Sequence, residues 1–277
     1  MTTGLEVMAR FEQFAAPAWA EDWDHVGWQL GDPTRAVRRM LITLDVRPAV
    51  VDEAIDAGVD LIFSHHPLMF RPAKDLDLRQ PQNAMYAKLL AHGITVYSAH
   101  TNLDSAPGGM NDWLAAQLGL QNLTGLVPSK LSSPTGEPVD LGRVGDLPVA
   151  LSPAEFVSWC QQHFHVAGLR FVTPPAAVTQ IKRVAIVGGA GSEFYPQVLA
   201  AGAQAYVTGD VSYHVAQDMQ AAGLMLVDPG HHIEVVCVKQ LTTLFKKWAQ
   251  LAKWPLEIQA SQVKTEPFKF MMKDEMK

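Results

Sequence analysis

Residues 59–67 read VDLIFSHHP, an apolar run that ends in the polar pair His65 and His66. The run is short, apolar and closed by a proline, which is typical of a buried strand over residues 59–64. The next apolar run, residues 94–99, also ends in a polar segment. Two such strands with a helix between them predict parallel pairing through a right-handed crossover.

The same alternation extends along most of the chain and predicts an α/β fold. Helices are expected over residues 3–14, 48–57, 83–92, 108–118, 152–163 and 231–252, and further strands over residues 40–44, 182–187, 205–208, 224–227 and 256–259, with two short strands in residues 139–152. We expect two linked α/β lobes with mainly parallel strands flanked by helices, and a metal site in the cleft between them.

Three segments follow from this pattern. Residues 1–128 are predicted to form the first lobe, which carries the His-His pair and an aspartate ligand. Residues 129–229 are predicted to form the second lobe, because residues 129–138 are rich in serine, proline and glycine and read as a boundary loop. Residues 230–277 are predicted to return to the first lobe as a helix and a strand and to close the metal site.

Composition limits the function classes. The 277 residues include 22 basic and 28 acidic ones, so the net charge of −6 gives no general case for binding nucleic acid. Two cysteines exclude a disulfide scaffold and a four-cysteine zinc site, so a metal site must use nitrogen and oxygen ligands. The start of the chain lacks the apolar centre of a secretion signal and no stretch reaches membrane-span length, which favours a cytoplasmic protein.

Polar residues follow four of the predicted strands, where ligands bind in open parallel sheets. The segments are residues 64–67, 99–104, 208–210 with His214, and 228–234. Imidazole and carboxylate groups suit borderline or hard divalent cations, and the pattern does not distinguish Zn, Mn, Fe and Ni. Adjacent side chains in an extended backbone diverge, so His65 and His66 suit two neighbouring ions, which Glu234 or Asp104 could bridge.

Ordinary structural roles compete with this interpretation. A His-His pair can lie in a core by chance, His231 and Glu234 can be a pair on a helix surface, and Asp104 can cap the next helix. Residues 188–191 (GGAG) could cradle a phosphate, although a tight turn is favoured. Residues 23–28, which contain Trp23 and Trp28, either line a pocket or anchor the first helix.

Taken in order, the motifs resemble the Ngg-interacting-factor-three-like family, whose members are labelled GTP cyclohydrolase 1 type 2 homologues. The resemblance rests on residues 23–27 (WDHVG), 64–67 (SHHP), 98–104 (SAHTNLD), 142–145 (GRVG), 188–191 (GGAG), 208–210 (TGD), 230–231 (GH) and 267–268 (PF). Each piece is short, and the ordered series is specific. Many members have asparagine at the position of His25, and some carry a mid-chain domain for which this chain is too short.

The resemblance implies a dinuclear metal site with the ligands His65, His66, Asp104, His231 and Glu234. His232 is the alternative to His231, because many members have a longer spacing to the glutamate. The family's usual assembly is a ring-shaped hexamer, so we expect a homo-oligomer. The expected function is metal-dependent hydrolysis of a small substrate, nucleotide-like or phosphorylated, which includes the cyclohydrolase activity of the family's label.

In this interpretation two divalent ions are the cofactors, and His100, His214 and Asp210 are the candidates for moving protons or orienting the ligands. A non-enzymatic metal-binding or regulatory scaffold is the alternative, since the same ligands would serve it. A nucleic-acid binder would need a local basic patch among Arg35, Arg38, Arg39, Arg71 and Lys74, which the acidic balance does not favour.

Overall fold

The computed structural model describes residues 1–129 and 131–270, and the chain divides into two units. The first unit consists of residues 1–106 and 235–265, and the second of residues 107–234 with the segment that begins at residue 266. This division differs from the predicted boundary at residue 129. The reason is hydrogen bonding: a strand over residues 121–127 pairs with a strand of the second unit.

Strands and helices alternate, as the apolar pattern predicts. The strands are β1 Gly27–Leu30, β2 Arg39–Thr43, β3 Leu61–Ser64, β4 Thr95–Ser98, β5 Gln121–Val127, β6 Leu141–Leu151, β7 Arg170–Val172, β8 Ile181–Ile186, β9 Ala205–Val207, β10 Met225–Asp228 and β11 Glu257–Ala260. The α-helices are α1 Gly4–Glu12, α2 Pro48–Asp56, α3 Pro81–Ala91, α4 Thr101–Ser105, α5 Met110–Gln117, α6 Pro153–Phe164, α7 Tyr195–Ala200, α8 Tyr213–Ala221 and α9 Val236–Ala252. The mixed α/β class with two sheets flanked by helices is confirmed.

The sheet of the first unit has the order β1-β4-β3-β2-β11 among the described residues. Its pairings are parallel except that β1 runs antiparallel to β4. Four aromatic rings pack on one another in the core of this unit, with centroids 4.8–6.0 Å apart: Phe11, Phe63, Tyr97 and Phe245. Because β3 and β4 are parallel neighbours, the residues that follow them emerge at the same edge of the sheet.

The sheet of the second unit has the order β5-β6-β8-β9-β10-β7 among the described residues. β8, β9 and β10 are parallel, whereas β5, β6 and β7 join antiparallel. The expectation of mainly parallel strands therefore holds for the first sheet and for the centre of the second. The buried side chains around Tyr206 and Val198 form the core of this unit.

Local signals were accurate at two helix starts. Thr3 and Ser152, at which two predicted helices begin, form capping boxes with Glu6 and Glu155. Residues 139–152 were predicted as two short strands, which is wrong: β6 is one strand whose pairing with β8 becomes irregular between Asp146 and Leu151, and this stretch contains Pro148.

The helix predicted over residues 231–252 begins instead with a 3₁₀ turn, His231–Val235, and α9 follows it.

No helix in the described part of the chain is both long and apolar enough to cross a membrane. The thiols of Cys160 and Cys237 are both buried in the packing.

Candidate functional site

The first unit brings together polar residues from the ends of two parallel strands. His65 and His66 follow β3, and His100 and Asp104 follow β4. One nitrogen of each of the three imidazole rings lies within 4.8 Å of a nitrogen of the other two. We call these four residues the β3–β4 set. Their convergence is what the strand-end pattern predicts, because parallel neighbours end at the same edge of a sheet.

His65 is fully buried and held in one orientation. Its Nδ1 lies 2.8 Å from the carbonyl oxygen of Ala99. Because a carbonyl oxygen can only accept, Nδ1 donates, and in the neutral ring Nε2 carries the lone pair. Nε2 lies 3.5 Å from Oδ1 of Asp104, itself only 7% exposed. Asp104 therefore faces His65 and does not cap α5, which begins after Gly109.

His66 is held by a carboxylate. Its Nδ1 lies 2.7 Å from Oδ1 of Asp45, whose other oxygen accepts a hydrogen bond from Thr265. Burial is the largest influence on the pKa of Asp45 and raises it. The hydrogen bonds from His66 and Thr265 and the charges of His66 and Arg47 outweigh burial, so the net pKa is lowered. Asp45 is therefore ionised and accepts from His66, as second-sphere carboxylates do behind metal-binding histidines.

His100 has the same kind of partner. Its Nδ1 lies 3.0 Å from Oδ2 of Asp24, which also accepts from the backbone and hydroxyl of Thr101. Burial raises the pKa of Asp24, but the close contact with His100, the charge of that ring and the hydrogen bonds from Thr101 together lower the net pKa. Two exposed rings, Trp23 and Phe70, have centroids 5.9 and 6.4 Å from that of His100.

The two alternatives for residues 23–28 both describe part of the loop. Trp23 is 62% exposed beside His100, as a residue lining a site would be. Trp28 packs edge-on against Tyr97, and its ring would lie 3.1 Å from a Cβ on Gly4 at the start of α1. Trp28 is therefore the residue of this pair that anchors the first helix.

The second unit brings together His231, Glu234 and Asp210, which we call the β9–β10 set. The Nδ1 of His231 lies 2.8 Å from Oδ2 of Asp210, and its Nε2 lies 3.1 Å from Oε2 of Glu234. In a 3₁₀ turn, residues three apart are eclipsed, so the turn aligns His231 with Glu234. Glu234 is 2% exposed, and His231 contacts both acidic residues.

Asp210 is held in the left-handed region, with φ of 54°. A non-glycine residue in this region is strained, although aspartate tolerates it better than most residues do. Asp210 is partly exposed, so burial does not impose this conformation, and its observed contact is with His231. The strained residue Asp210 is therefore also the residue that orients the candidate ligand His231.

Residues 188–191 form a turn, as favoured from the sequence, and the turn also touches the β9–β10 set. A Cβ on Gly189 would lie 2.8 Å from Oε1 of Glu234 and 3.1 Å from Nε2 of His231. A Cβ on Gly188 would lie 3.0 Å from the same carboxylate oxygen. These glycines leave space at the ligand atoms that any other residue would fill.

Both sets fit a divalent cation. Nitrogen and oxygen ligands of one zinc ion lie roughly 2.9–3.4 Å apart for coordination angles between 90° and 109°. The two observed nitrogen–oxygen separations, 3.5 Å at His65 and 3.1 Å at His231, are close to that range. In each neutral ring the lone pair of Nε2 faces a buried carboxylate oxygen, and these two electron-rich atoms repel each other. A cation between them would be bound by both atoms.

The remaining predicted site residue has a different environment. His214 is exposed on α8, where its Nδ1 lies 3.3 Å from Gln217 and its ring contacts Tyr213. Asp24 and Asp45 were not predicted to act at the site. Asp45 follows β2 by two residues, so the strand-end rule that identified the histidines would also have found it.

The fold and these residues define a class: an α/β protein of two units in which histidine and carboxylate groups could bind metal ions. A family model described as Duf34/NIF3 (NGG1p interacting factor 3) matches residues 2–267. A relative from Streptococcus pneumoniae named GTP cyclohydrolase 1 type 2 homolog is 40% identical over 268 residues, covering 95% of this chain and 97% of that protein. The chain belongs to the Duf34/NIF3 family, as its motifs predicted.

Two further relatives define the extent of the similarity. A Bacillus cereus protein related to NIF3 has a crystal structure that superposes with a TM-score of 0.93 at 28% identity, covering 98% of this chain and 99% of that one. The GTP cyclohydrolase 1 type 2 homolog of Listeria innocua is 31% identical over 372 aligned positions, covering 98% and 99% of the two chains. Since this chain has 277 residues, the Listeria protein contains residues without a counterpart here.

Proposed function

We propose that the protein is a metal-dependent hydrolase in which His65, His66, Asp104, His231 and Glu234 hold two divalent ions. The substrate would be a small molecule, nucleotide-like or phosphorylated. Ions bound there would supply Lewis acidity and lower the pKa of a bound water. The family's GTP cyclohydrolase label is a narrower form of the same proposal.

One observation supports the metal site most strongly. In both sets a histidine Nδ1 is occupied by a hydrogen-bond acceptor, and the Nε2 of the same ring lies 3.1–3.5 Å from a buried carboxylate oxygen. A buried carboxylate is costly unless it is paired or binds a cation. Because the same arrangement occurs in both sets, an accidental contact between one histidine and one carboxylate is a poorer explanation of it.

The other polar residues would orient the candidate metal ligands or transfer protons. Asp45 and Asp210 would fix the rings of His66 and His231, and Asp24 would fix that of His100. His100 is our candidate for moving a proton, because its ring lies among the candidate ligands of the first unit. His214 is the second candidate for proton transfer.

The test is a hydrolysis screen. Protein purified without added metal is loaded with Zn²⁺, Mn²⁺, Fe²⁺ or Ni²⁺ and assayed on phosphomonoesters, nucleotides and cyclic amides. We expect metal-dependent turnover that Glu234→Gln and His65→Ala abolish, that His100→Ala lowers, and that His92→Ala, a change at an exposed histidine of α3's end, leaves intact. Metal binding without turnover on any of these substrates would contradict the hydrolase and favour a metal-binding scaffold.

We also propose a homo-oligomer, with a hexameric ring as the specific form. The support is the family membership, through which the expectation for the assembly arises. Light scattering after size-exclusion chromatography measures the mass directly. A chain of 30.3 kDa that elutes with six times its own mass agrees with the proposal, and a monomer contradicts it.

A further inference from the structure

A cavity of about 260 Å³ opens beside His66 in the first unit. Arg47 and Arg71 both line it, together with Asp45 and Phe70. Its volume lies just below the roughly 300–1,000 Å³ of pockets for drug-sized ligands, so it suits one group of a substrate rather than a large molecule. Because His66 is in its wall, a group bound there lies beside a candidate metal ligand.

The charges of the cavity favour an anion. Among the described residues, neither arginine has an ion pair with a carboxylate, in contrast to Arg79 and Arg143, which pair with Asp77 and Asp112. The acidic residue of the cavity is Asp45, and both of its oxygens accept hydrogen bonds, from His66 and Thr265. Two guanidinium groups against one engaged carboxylate leave a net positive lining.

Guanidinium groups bind oxyanions in a characteristic way. Each presents a planar fork of N–H donors that matches two oxygens of a phosphate, and these charge-assisted hydrogen bonds are roughly twice as strong as neutral ones. Arg47 directly precedes α2, and Arg71 lies in the segment between β3 and α3, so the two arginines reach the cavity from different elements. Two donors from separate elements can hold one anion from two sides.

We propose that this cavity binds a phosphate group of the substrate, with Arg47 and Arg71 as the phosphate ligands. The inference deepens the proposed function, on which it rests for the statement that the anion belongs to a substrate. It narrows the substrate class to phosphorylated small molecules. The arginines are binding residues in this account, and water activation remains with the metal-binding sets.

The test separates the anion site from the metal site. Inorganic phosphate is titrated into full-length protein treated with a chelator, and binding is measured by isothermal titration calorimetry at constant ionic strength. We expect saturable binding that becomes at least about tenfold weaker in Arg47→Gln/Arg71→Gln, since both charge-assisted contacts are lost. The matched control is Arg38→Gln/Lys74→Gln, which removes the same charge from exposed residues outside the cavity lining.

Each outcome bears on one proposal. Native protein without saturable phosphate binding, or equal affinity in both double variants and the native protein, overturns the phosphate site. Metal content is measured in the same preparations before chelation. If the protein never binds metal but binds phosphate through the arginines, the phosphate site is supported and the proposed hydrolase is overturned. If the protein binds metal but its phosphate binding does not depend on the arginines, the phosphate site is overturned and the metal site stands.

Discussion

The β3–β4 set and the β9–β10 set use the same pairing of histidine and carboxylate in different surroundings. In the first unit, the side chain of His65 is 0% exposed and its Nδ1 is held by a backbone carbonyl. In the second unit, the side chain of His231 is 37% exposed and its Nδ1 is held by Asp210, which is 50% exposed. The His65–Asp104 pair is therefore buried, whereas the β9–β10 set combines the buried Glu234 with two exposed side chains.

The two sets are held in place in different ways. A ring buried against backbone cannot turn without breaking the core, so the β3–β4 set is preorganised by packing. The β9–β10 set depends on one strained aspartate and on two glycines that leave room. We therefore expect the β3–β4 set to bind metal more tightly, and a substitution there to cost more metal affinity than the matching substitution at the β9–β10 set.

The largest loss of metal binding is expected when a candidate ligand of the β3–β4 set is removed. His65→Ala should weaken metal binding by more than about a hundredfold, because even second-sphere changes cost about 10–100-fold. His231→Ala should cost less, since an exposed ring is more easily replaced by water. Inductively coupled plasma mass spectrometry after dialysis measures both, with His92→Ala as the exposed-histidine control. Equal losses of bound metal in the two variants would contradict the expected difference between the sets.

The substitution Gly189→Ala should produce a steric clash with the β9–β10 set. The new Cβ would lie 2.8 Å from Glu234 and 3.1 Å from His231, so metal binding at this set should be lost. Gly202→Ala is the matched control, because Gly202 also has positive φ but a Cβ there meets nothing within 4 Å. Both variants should lose about 1–2 kcal/mol of unfolding free energy from the left-handed backbone.

Thermal denaturation and metal titration separate the two consequences of that substitution. If Gly189→Ala binds metal as well as Gly202→Ala does, the close approach of the glycine to the ligand atoms has no functional meaning. If only the glycine at the site affects metal, the turn over residues 188–191 has a second role beyond connecting β8 to α7.

The carboxylates that orient the histidine rings should show the same difference between the two sets, with smaller losses of metal affinity. Asp45→Asn and Asp210→Asn each keep the shape of the side chain but lose the charge behind a histidine, which costs about 10–100-fold in metal affinity. Asp45 should lie at the upper end, because its side chain is 17% exposed whereas that of Asp210 is 50% exposed. Competition with a fluorescent chelator gives both affinities, and a larger loss in Asp210→Asn would reverse our ranking.

The smallest effect is expected away from both sets. Ser152→Ala removes the side chain that accepts from the backbone of Glu155 at the start of α6, which should cost about 0.5–2 kcal/mol in unfolding free energy. Metal affinity should not change. Urea denaturation measures the first quantity, and a change in metal content would show that α6 influences the β9–β10 set.

Much of the fold followed from the sequence because strong local signals decided it. Apolar runs located β2, β3 and β4, and the capping residues Thr3 and Ser152 marked two helix starts. β1 and β7 escaped prediction because they are four and three residues long and depend on antiparallel partners that lie far away in sequence. β6 is one strand where two short strands were predicted, and its pairing with β8 becomes irregular between Asp146 and Leu151, a stretch that contains Pro148.

The candidate site was predictable in part for the same reason. The strand-end rule brings His65, His66, His100 and Asp104 together, since β3 and β4 are parallel neighbours. The orienting roles of Asp24 and Asp45 depend on which ring nitrogen faces which carboxylate, and sequence spacing does not encode ring orientation. The proximity of Gly189 to Glu234 likewise depends on folding, because 45 residues of chain separate them.

The most direct test of the central claim is an anomalous difference map from crystals of the protein purified without added metal, with data collected at metal absorption edges. We predict strong peaks within coordination distance of Nε2 of His65 and of Nε2 of His231, each also contacting the neighbouring carboxylate. A map without anomalous density at either nitrogen, in which each ring instead hydrogen-bonds directly to Asp104 or Glu234, would contradict the proposal that these two sets hold divalent ions.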